Sequence, residues 1–246
     1  MQSISAYNAS QNHFGYEFKE TRLRKCIDLM SPLPKGRLLD IGCTEGDWAL
    51  FWKARGWQVA GVDINREKLA IARERGVDGR YCDLNSNPLP FADGEFDLIF
   101  AGEVIEHLVD TDGFLSEASR CCKPGGYILV TTPNLASFEN RVRLLLGIYP
   151  KWLNYNLEGS GHVRGYTPGV LKAQLAAHGF QVTRRTGNWV PFIPQRFVDD
   201  AKFPALAVTG TLLPNLAMDI IILASYVGFS RETANVQTRN QRSLAS

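Results

Sequence analysis

Leu38-Leu39-Asp40-Ile41-Gly42-Cys43-Thr44-Glu45-Gly46 is the stretch whose reading decides the fold. A short apolar run of strand length passes directly into Gly42-x-x-x-Gly46, and a helical pattern starts at Asp47. A strand, a glycine loop and a helix in that order let a ligand lie against bare backbone. Glycine has no Cβ to hold the ligand away, and the helix N-terminus offers unpaired N–H groups.

Further short apolar runs occupy residues 58–62, 79–82, 97–101 and 127–132, with helical patterns over 47–55, 66–75 and 112–122 between them. This alternation predicts an α/β fold, a Rossmann-like doubly wound sheet that is mostly parallel. Pro34-Lys35-Gly36 precedes the first strand, and Lys123-Pro124-Gly125-Gly126 is expected to end a helix before the fifth. Thr167 followed by Pro168 reads as an N-cap with proline at the first helical position, closed by Gly179 after His178. Residues 180–185 and 218–224 supply the last strands. The expected organisation is one domain over residues 1–230, with a helical extension at 1–35, a lid insertion at 134–165 and a loose polar tail at 231–246.

With 246 residues and 45% hydrophobic content, the chain can bury one large core. Its net charge of +2 comes from acids and bases spread along the chain, so there is no concentrated basic footprint of a DNA or RNA binder. Five cysteines, odd in number and without C-x-x-C spacing, argue against a disulfide framework and a structural zinc site, and favour a reducing cytoplasm. Residues 1–16 are polar, unlike a secretory signal. The apolar stretch 203–217 holds Pro214 and Asn215 and is too interrupted to span a bilayer. Burial against the flank of the sheet is the expectation for it, with peripheral contact to the inner face of a membrane as the alternative.

A nicotinamide-binding loop would read G-x-G-x-x-G and hold a pyrophosphate, whereas here Asp40, Glu45 and Asp47 surround the glycines and would repel one. Acids suit a cation. S-adenosylmethionine has no phosphate and carries an ammonium and a sulfonium. Asp63 closes the second strand, where a carboxylate can accept both ribose hydroxyls of an adenosine. Asp83 follows the third strand within reach of an adenine amino group, with Leu84 to pack on the ring. Each acid alone could be a helix cap or a solvated surface residue, but their succession at strand ends points to a ligand.

LLDIGCTEGDWAL, GVDIN, YCDLNSNPLPFADGEFDLIFAGEVIEHL and CKPGGYILVTTPN resemble the consecutive motifs of class I S-adenosylmethionine-dependent methyltransferases. The likeness is strongest to the branch with the ubiquinone-biosynthesis O-methyltransferases and the type 11 methyltransferases. It is strong from Gly36 to Pro133 and weaker over GHVRGYTPGVLKAQLAAHGF. The resemblance implies a seven-stranded sheet with an antiparallel last strand and a cofactor site of Asp40, Gly42, Cys43, Thr44, Gly46, Asp63, Ile64, Asp83, Leu84 and Glu103. Thr44 departs from the glycine usual in such loops.

Methyl transfer is an in-line displacement, and a hydroxyl nucleophile must also lose its proton. Glu103, Glu106 and His107 follow the fourth strand, where methyl and acceptor should meet. An imidazole suits general-base work near neutrality, so His107 is the expected base with Glu106 beside it; a histidine there can equally cap a helix. His162, Arg164 and Asn134 are candidates for touching the acceptor. The lid, rich in aromatics and bases (Phe138, Arg141, Arg143, Tyr149, Lys151, Trp152, Tyr155), fits a small molecule, glycan or lipid-linked acceptor. No metal is assigned, although Glu103, Glu106, His107 and His162 form an oxygen and nitrogen donor set. Because E-x-x-E-H and TTPN also resemble the small-RNA 2′-O-methyltransferases, metal-assisted RNA methylation is a second enzyme hypothesis. A cofactor-binding protein without turnover is a third, from another class.

Overall fold

The structure, a computed structural model, describes residues 20–153, 161–192 and 204–228. Helix α1 (Thr21–Met30) leads into β1 (Arg37–Ile41), α2 (Asp47–Lys53), β2 (Gln58–Asp63), α3 (Arg66–Glu74), β3 (Asp78–Tyr81) and β4 (Phe96–Gly102). A one-turn 3₁₀ helix (Ile105–His107) follows, then α4 (Thr111–Cys121), β5 (Cys122–Pro133), α5 (Phe138–Leu145), α6 (Pro168–Ala177), β6 (Phe180–Gly187), α7 (Pro204–Leu212) and β7 (Asp219–Tyr226). The seven strands form one sheet in the order β3-β2-β1-β4-β5-β7-β6. Neighbours from β3 to β5 pair in parallel, while β7 lies antiparallel between β5 and β6.

The central strands are buried on both faces, which is why their sequences read as continuous apolar runs. Leu39, Ile41, Val62, Ile99 and Val130 pack with Phe114 and Leu115 of α4 and Leu171 and Leu175 of α6. Leu38, Leu98, Phe100 and Leu129 point the other way, against Cys26 and Met30 of α1 and Trp48, Phe51 and Trp52 of α2. The N-terminal helix is therefore a core element as well as an extension. Lys25 also ties it to the far edge of the sheet, its Nζ donating to the carbonyls of Gly187 and Ala207, both at 2.6 Å.

Local signals account for most element ends. Asn65, Asp110, Ser137 and Thr167 cap α3, α4, α5 and α6 by accepting from backbone N–H groups, and Gly179 takes φ +80° after α6. The expectation for Lys123 to Gly126 needs correction. Helix α4 stops at Cys121, and Lys123-Pro124-Gly125-Gly126 already lies inside β5 as an irregularity, because Cys122 pairs with Phe96 and Tyr127 with Leu98. Within the apolar stretch 203–217, α7 leaves Val208 and Leu212 exposed, and among the described residues no helix is long and apolar enough to cross a membrane. Tyr155 and the tail 231–246 lie outside the described residues.

Gly61 sits where the sheet meets the glycine loop. A Cβ there would come within 2.6 Å of the Cys43 Sγ. Gly61→Ala should lose about 1–3 kcal/mol of stability in urea unfolding, the usual cost of overpacking. Gly169→Ala, whose nearest neighbour would lie 4.0 Å away, should be neutral.

Candidate active site

A cavity of about 280 Å³ opens at the carboxyl ends of β1 to β4, lined by Gly42, Asp63, Ile64, Asp83, Leu84, Glu103 and His107 together with Val62, Cys82, Asn85, Val104 and Leu108. The loop from β1 is seated on β2 by two hydrogen bonds, Gly42 N–H and Cys43 N–H both donating to the Val62 carbonyl. Gly42, Thr44 and Gly46 adopt φ of +73°, +48° and +85°. A left-handed threonine is uncommon, which explains why glycine is the usual residue at position 44. Thr44 N–H donates to Asp63 Oδ2 at 2.9 Å, and Asn65 N–H donates to Oδ1 at 2.7 Å. The Asp63 carboxylate is thus held at the cavity wall with lone pairs left on both oxygens. Asp83 is held similarly by Asn85 N–H and the Ser86 hydroxyl. Ile64 stands 60% exposed at the rim, an apolar face open to a flat ring.

The other predicted loop residues act behind this surface. Cys43 is buried beneath Gly61, while Thr44 and Gly46 shape the turn. Asp40 is 3% exposed and does not line the cavity. Burial, then the neighbouring Asp63, hold its carboxyl well above the ordinary carboxylate range. Asp47 is paired with Arg75 at 2.7 Å. Neither Asp40 nor Asp47 therefore lines the cavity, whose acids are Asp63, Asp83 and Glu103 from the ends of the next strands.

Glu103 is a further residue at positive φ, +57°. Its N–H donates to the Thr131 carbonyl and its Oε1 accepts from the Thr131 hydroxyl at 2.8 Å. The guanidinium of Arg22, from α1, donates to that hydroxyl at 3.1 Å and stands 3.8 Å from Glu103. Sequence reasoning missed Arg22, because a helical arginine usually signals only a solvated face; its 13% side-chain exposure tells otherwise.

His107 Nδ1 lies 3.2 Å from the Gly161 carbonyl. A carbonyl only accepts, so Nδ1 carries the proton and Nε2 keeps its lone pair in the neutral ring. Burial holds the imidazole below its ordinary pKa, and the adjacent His162 adds to that effect. The two rings are 4.7 Å apart. His162 Nδ1 donates to the Trp152 carbonyl at 2.6 Å, and its Nε2 is 3.9 Å from Glu106 Oε1. Glu106 is 1% exposed, and neither carboxyl oxygen is hydrogen-bonded among the described residues. Burial, followed by the charge of Glu103, pushes its pKa up to about 8. One ligand atom each from Glu106, His107 and His162 falls within a span of 4.8 Å, the arrangement that could hold a metal ion.

The acceptor candidates separate. His162 joins the cluster. Arg164 is spent on the carbonyls of Leu108 and Val109, bracing the loop after the 3₁₀ helix. Asn134 is fully buried, its side-chain amide donating to the carbonyls of Asn215 and Ala217, so it staples β5 to the turn before β7 and does not face the cavity.

This sheet order, with its glycine loop after β1 and acids after β2 and β3, is that of a methyltransferase, and the chain matches the methyltransferase-domain family over residues 16–185. The chain belongs to that family, the class I S-adenosylmethionine-dependent methyltransferases. It is 34% identical over 175 residues to a ubiquinone biosynthesis O-methyltransferase of Sinorhizobium fredii, covering 65% of this chain and 66% of that one, just under two thirds of the relative's length. It is 30% identical over 177 residues to the demethylmenaquinone methyltransferase of Thermus thermophilus, covering 65% and 80%. A solved S-adenosylmethionine-dependent methyltransferase from Aquifex aeolicus shares the fold, with a TM-score of 0.55 at 16% identity over 91% of this chain and 97% of that one.

Asp63→Ala should weaken S-adenosylhomocysteine binding in calorimetry by about 10-fold or more, since charge-assisted hydrogen bonds contribute about 1.5–3 kcal/mol each. Asp40→Asn, a near-isosteric change at a buried position outside the cavity lining, should change that affinity far less; equal losses at both positions would contradict the division of roles.

Proposed function

We propose that this methyltransferase transfers a methyl group from S-adenosylmethionine to a hydroxyl of a small-molecule, glycan or lipid-linked acceptor, with His107 as general base. The observation that carries the reading is a neutral imidazole, with its free Nε2, in the wall of the same cavity as Asp63 and Asp83. S-adenosylmethionine supplies the electrophilic methyl carbon. Asp63 accepts the ribose hydroxyls, Asp83 accepts from the adenine amino group, and Ile64 and Leu84 cover the ring. Glu103, balanced by Arg22, faces the cationic end of the donor. His107 takes the acceptor proton at Nε2 as the oxygen attacks, while the Gly161 carbonyl stabilises the imidazolium through Nδ1–H. The relatives named for ubiquinone biosynthesis and for demethylmenaquinone support an apolar ring compound as acceptor.

His107→Gln should cut turnover about 10²-fold while leaving S-adenosylhomocysteine affinity intact, as loss of a general base does. Because burial lowers the imidazole pKa, the neutral base persists to more acidic pH. The wild-type rate should therefore fall only as pH drops through a midpoint below 6.5, and this acid limb should vanish in the variant.

The cluster of Glu106, His107 and His162 supports a second reading, metal-assisted methylation, with the 2′-hydroxyl of an RNA as one acceptor. With Nδ1 of each ring committed to a carbonyl, both Nε2 atoms are lone-pair donors beside the buried Glu106 carboxyl, a set suited to Zn²⁺, Mn²⁺ or Fe²⁺. The two readings divide on chelation. Full turnover after EDTA treatment supports His107 as a free base. Loss of turnover that Zn²⁺ or Mn²⁺ restores supports the metal.

A further inference from the structure

We propose that the C-terminal end of α5 and the turn after it, residues 142–152, form a docking surface for an anionic lipid bilayer. Helix α5 is held to the domain by its inner side. Ser137 caps it, and Asn140, fully buried, accepts from Lys151 N–H at 2.7 Å and donates to the carbonyls of Asn134 and Lys151. This folds the chain back on itself and leaves the end of the helix projecting. Leu144, Leu145 and Leu146 are 54%, 87% and 67% exposed, and Val142, Ile148, Tyr149 and Trp152 are exposed around them.

Contiguous exposed apolar residues of this kind mark a contact surface rather than ordinary protein exterior, because each large side chain forgoes about 1.5–3 kcal/mol by staying in water. Leu144 and Leu145 end the helix, about 100° apart around it, and Leu146 caps it, so the three exposed side chains diverge and no flat protein face can cover all of them. A fluid hydrocarbon layer can, by admitting the projecting tip. The rim has the composition of an interfacial segment, with Tyr149 and Trp152 as amphipathic aromatics and Arg141, Arg143 and Lys151 as bases. Residues 142–152 contain no acid, and Glu139, one turn earlier, is paired with Lys151 at 3.1 Å, so Arg141 and Arg143 give the rim a net positive charge that favours anionic headgroups. A second apolar edge adjoins it. Phe192, 53% exposed, stands 5.4 Å from Phe138 at the start of α5, and Phe138 N–H donates to the Leu216 carbonyl in the turn after α7.

The docked segment also reaches the chemistry. The Trp152 carbonyl at its end accepts from His162, whose ring touches His107. A bilayer that holds residues 142–152 would bring an acceptor dissolved in it to the same side of the protein as the cluster; that delivery rests on the reading given above, whereas the docking itself does not.

Co-sedimentation with vesicles of phosphatidylcholine containing about 25 mol% phosphatidylglycerol, and with phosphatidylcholine alone, tests the surface. Wild-type protein should pellet with the anionic vesicles and be released by salt. Leu145→Glu combined with Leu146→Glu should lower the bound fraction about 10-fold or more, because acidic side chains resist insertion. S-adenosylhomocysteine binding and the melting temperature of that variant should match wild type, since both side chains are exposed. The proposal is overturned if wild-type protein stays in the supernatant with both vesicles, or if the double variant pellets equally. It is overturned too if wild-type protein is a dimer in sedimentation velocity that the same substitutions dissociate, for then the surface joins two copies of the chain. Vesicle binding without turnover would leave the docking standing and refute the catalytic reading instead.

Discussion

The carboxylate of Asp63 holds two backbone N–H groups, Thr44 from the loop after β1 and Asn65 from the cap of α3, and the cavity depends on that clamp. It joins two crossovers that would otherwise be independent. With Gly42 and Cys43 already donating to the Val62 carbonyl, the clamp holds Thr44 in left-handed backbone and keeps the ligand side of the loop free of side chains. The close seating is allowed by Gly61, whose bare Cα makes room for Cys43. A carboxylate so held keeps its place at the cavity wall, with lone pairs left on both oxygens.

Behind the clamp the molecule buries more acid than its net charge suggests. Asp40, Glu106 and Asp219 are each pushed up by burial first and by a neighbouring carboxyl second. Burial disfavours the charged form of each, and Glu103 is the neighbouring carboxyl that stands beside a guanidinium. Arg22 provides the compensating cation, and Thr131 carries its hydrogen bond to the Glu103 carboxylate. The positive φ of Glu103, a conformation that costs of order 1–3 kcal/mol, is tolerated because Thr131 holds both its backbone and its side chain. Helix α1, read along the chain as an extension, thereby reaches the edge of the cavity through Arg22 and Glu103.

The lid joins this centre to the outside through His162. Its Nδ1–H holds the Trp152 carbonyl at the end of an apolar, basic-rimmed tip, and its ring packs against His107. One pair of imidazoles thus joins that tip to the cavity wall, with the buried Glu106 carboxyl beside them.

The order of strands and helices, the caps at Thr167 and Gly179, and the loop from Gly42 to Gly46 were legible in the sequence, because periodicity, glycine and proline act over a few residues. That Asp63, Asp83, Glu103 and His107 would gather at one edge was legible too, since a parallel sheet brings the ends of its strands together. What tertiary structure alone decided is which polar residues face that edge. Asp40 and Asn134 were read as site residues and prove to be interior. Arg22, 81 positions from Glu103 along the chain, was not singled out in the sequence and stands 3.8 Å from its carboxylate. The physical reason is the same in each case. Burial and pairing with a distant residue determine whether a side chain is charged and what it can reach, and neither is encoded in local spacing.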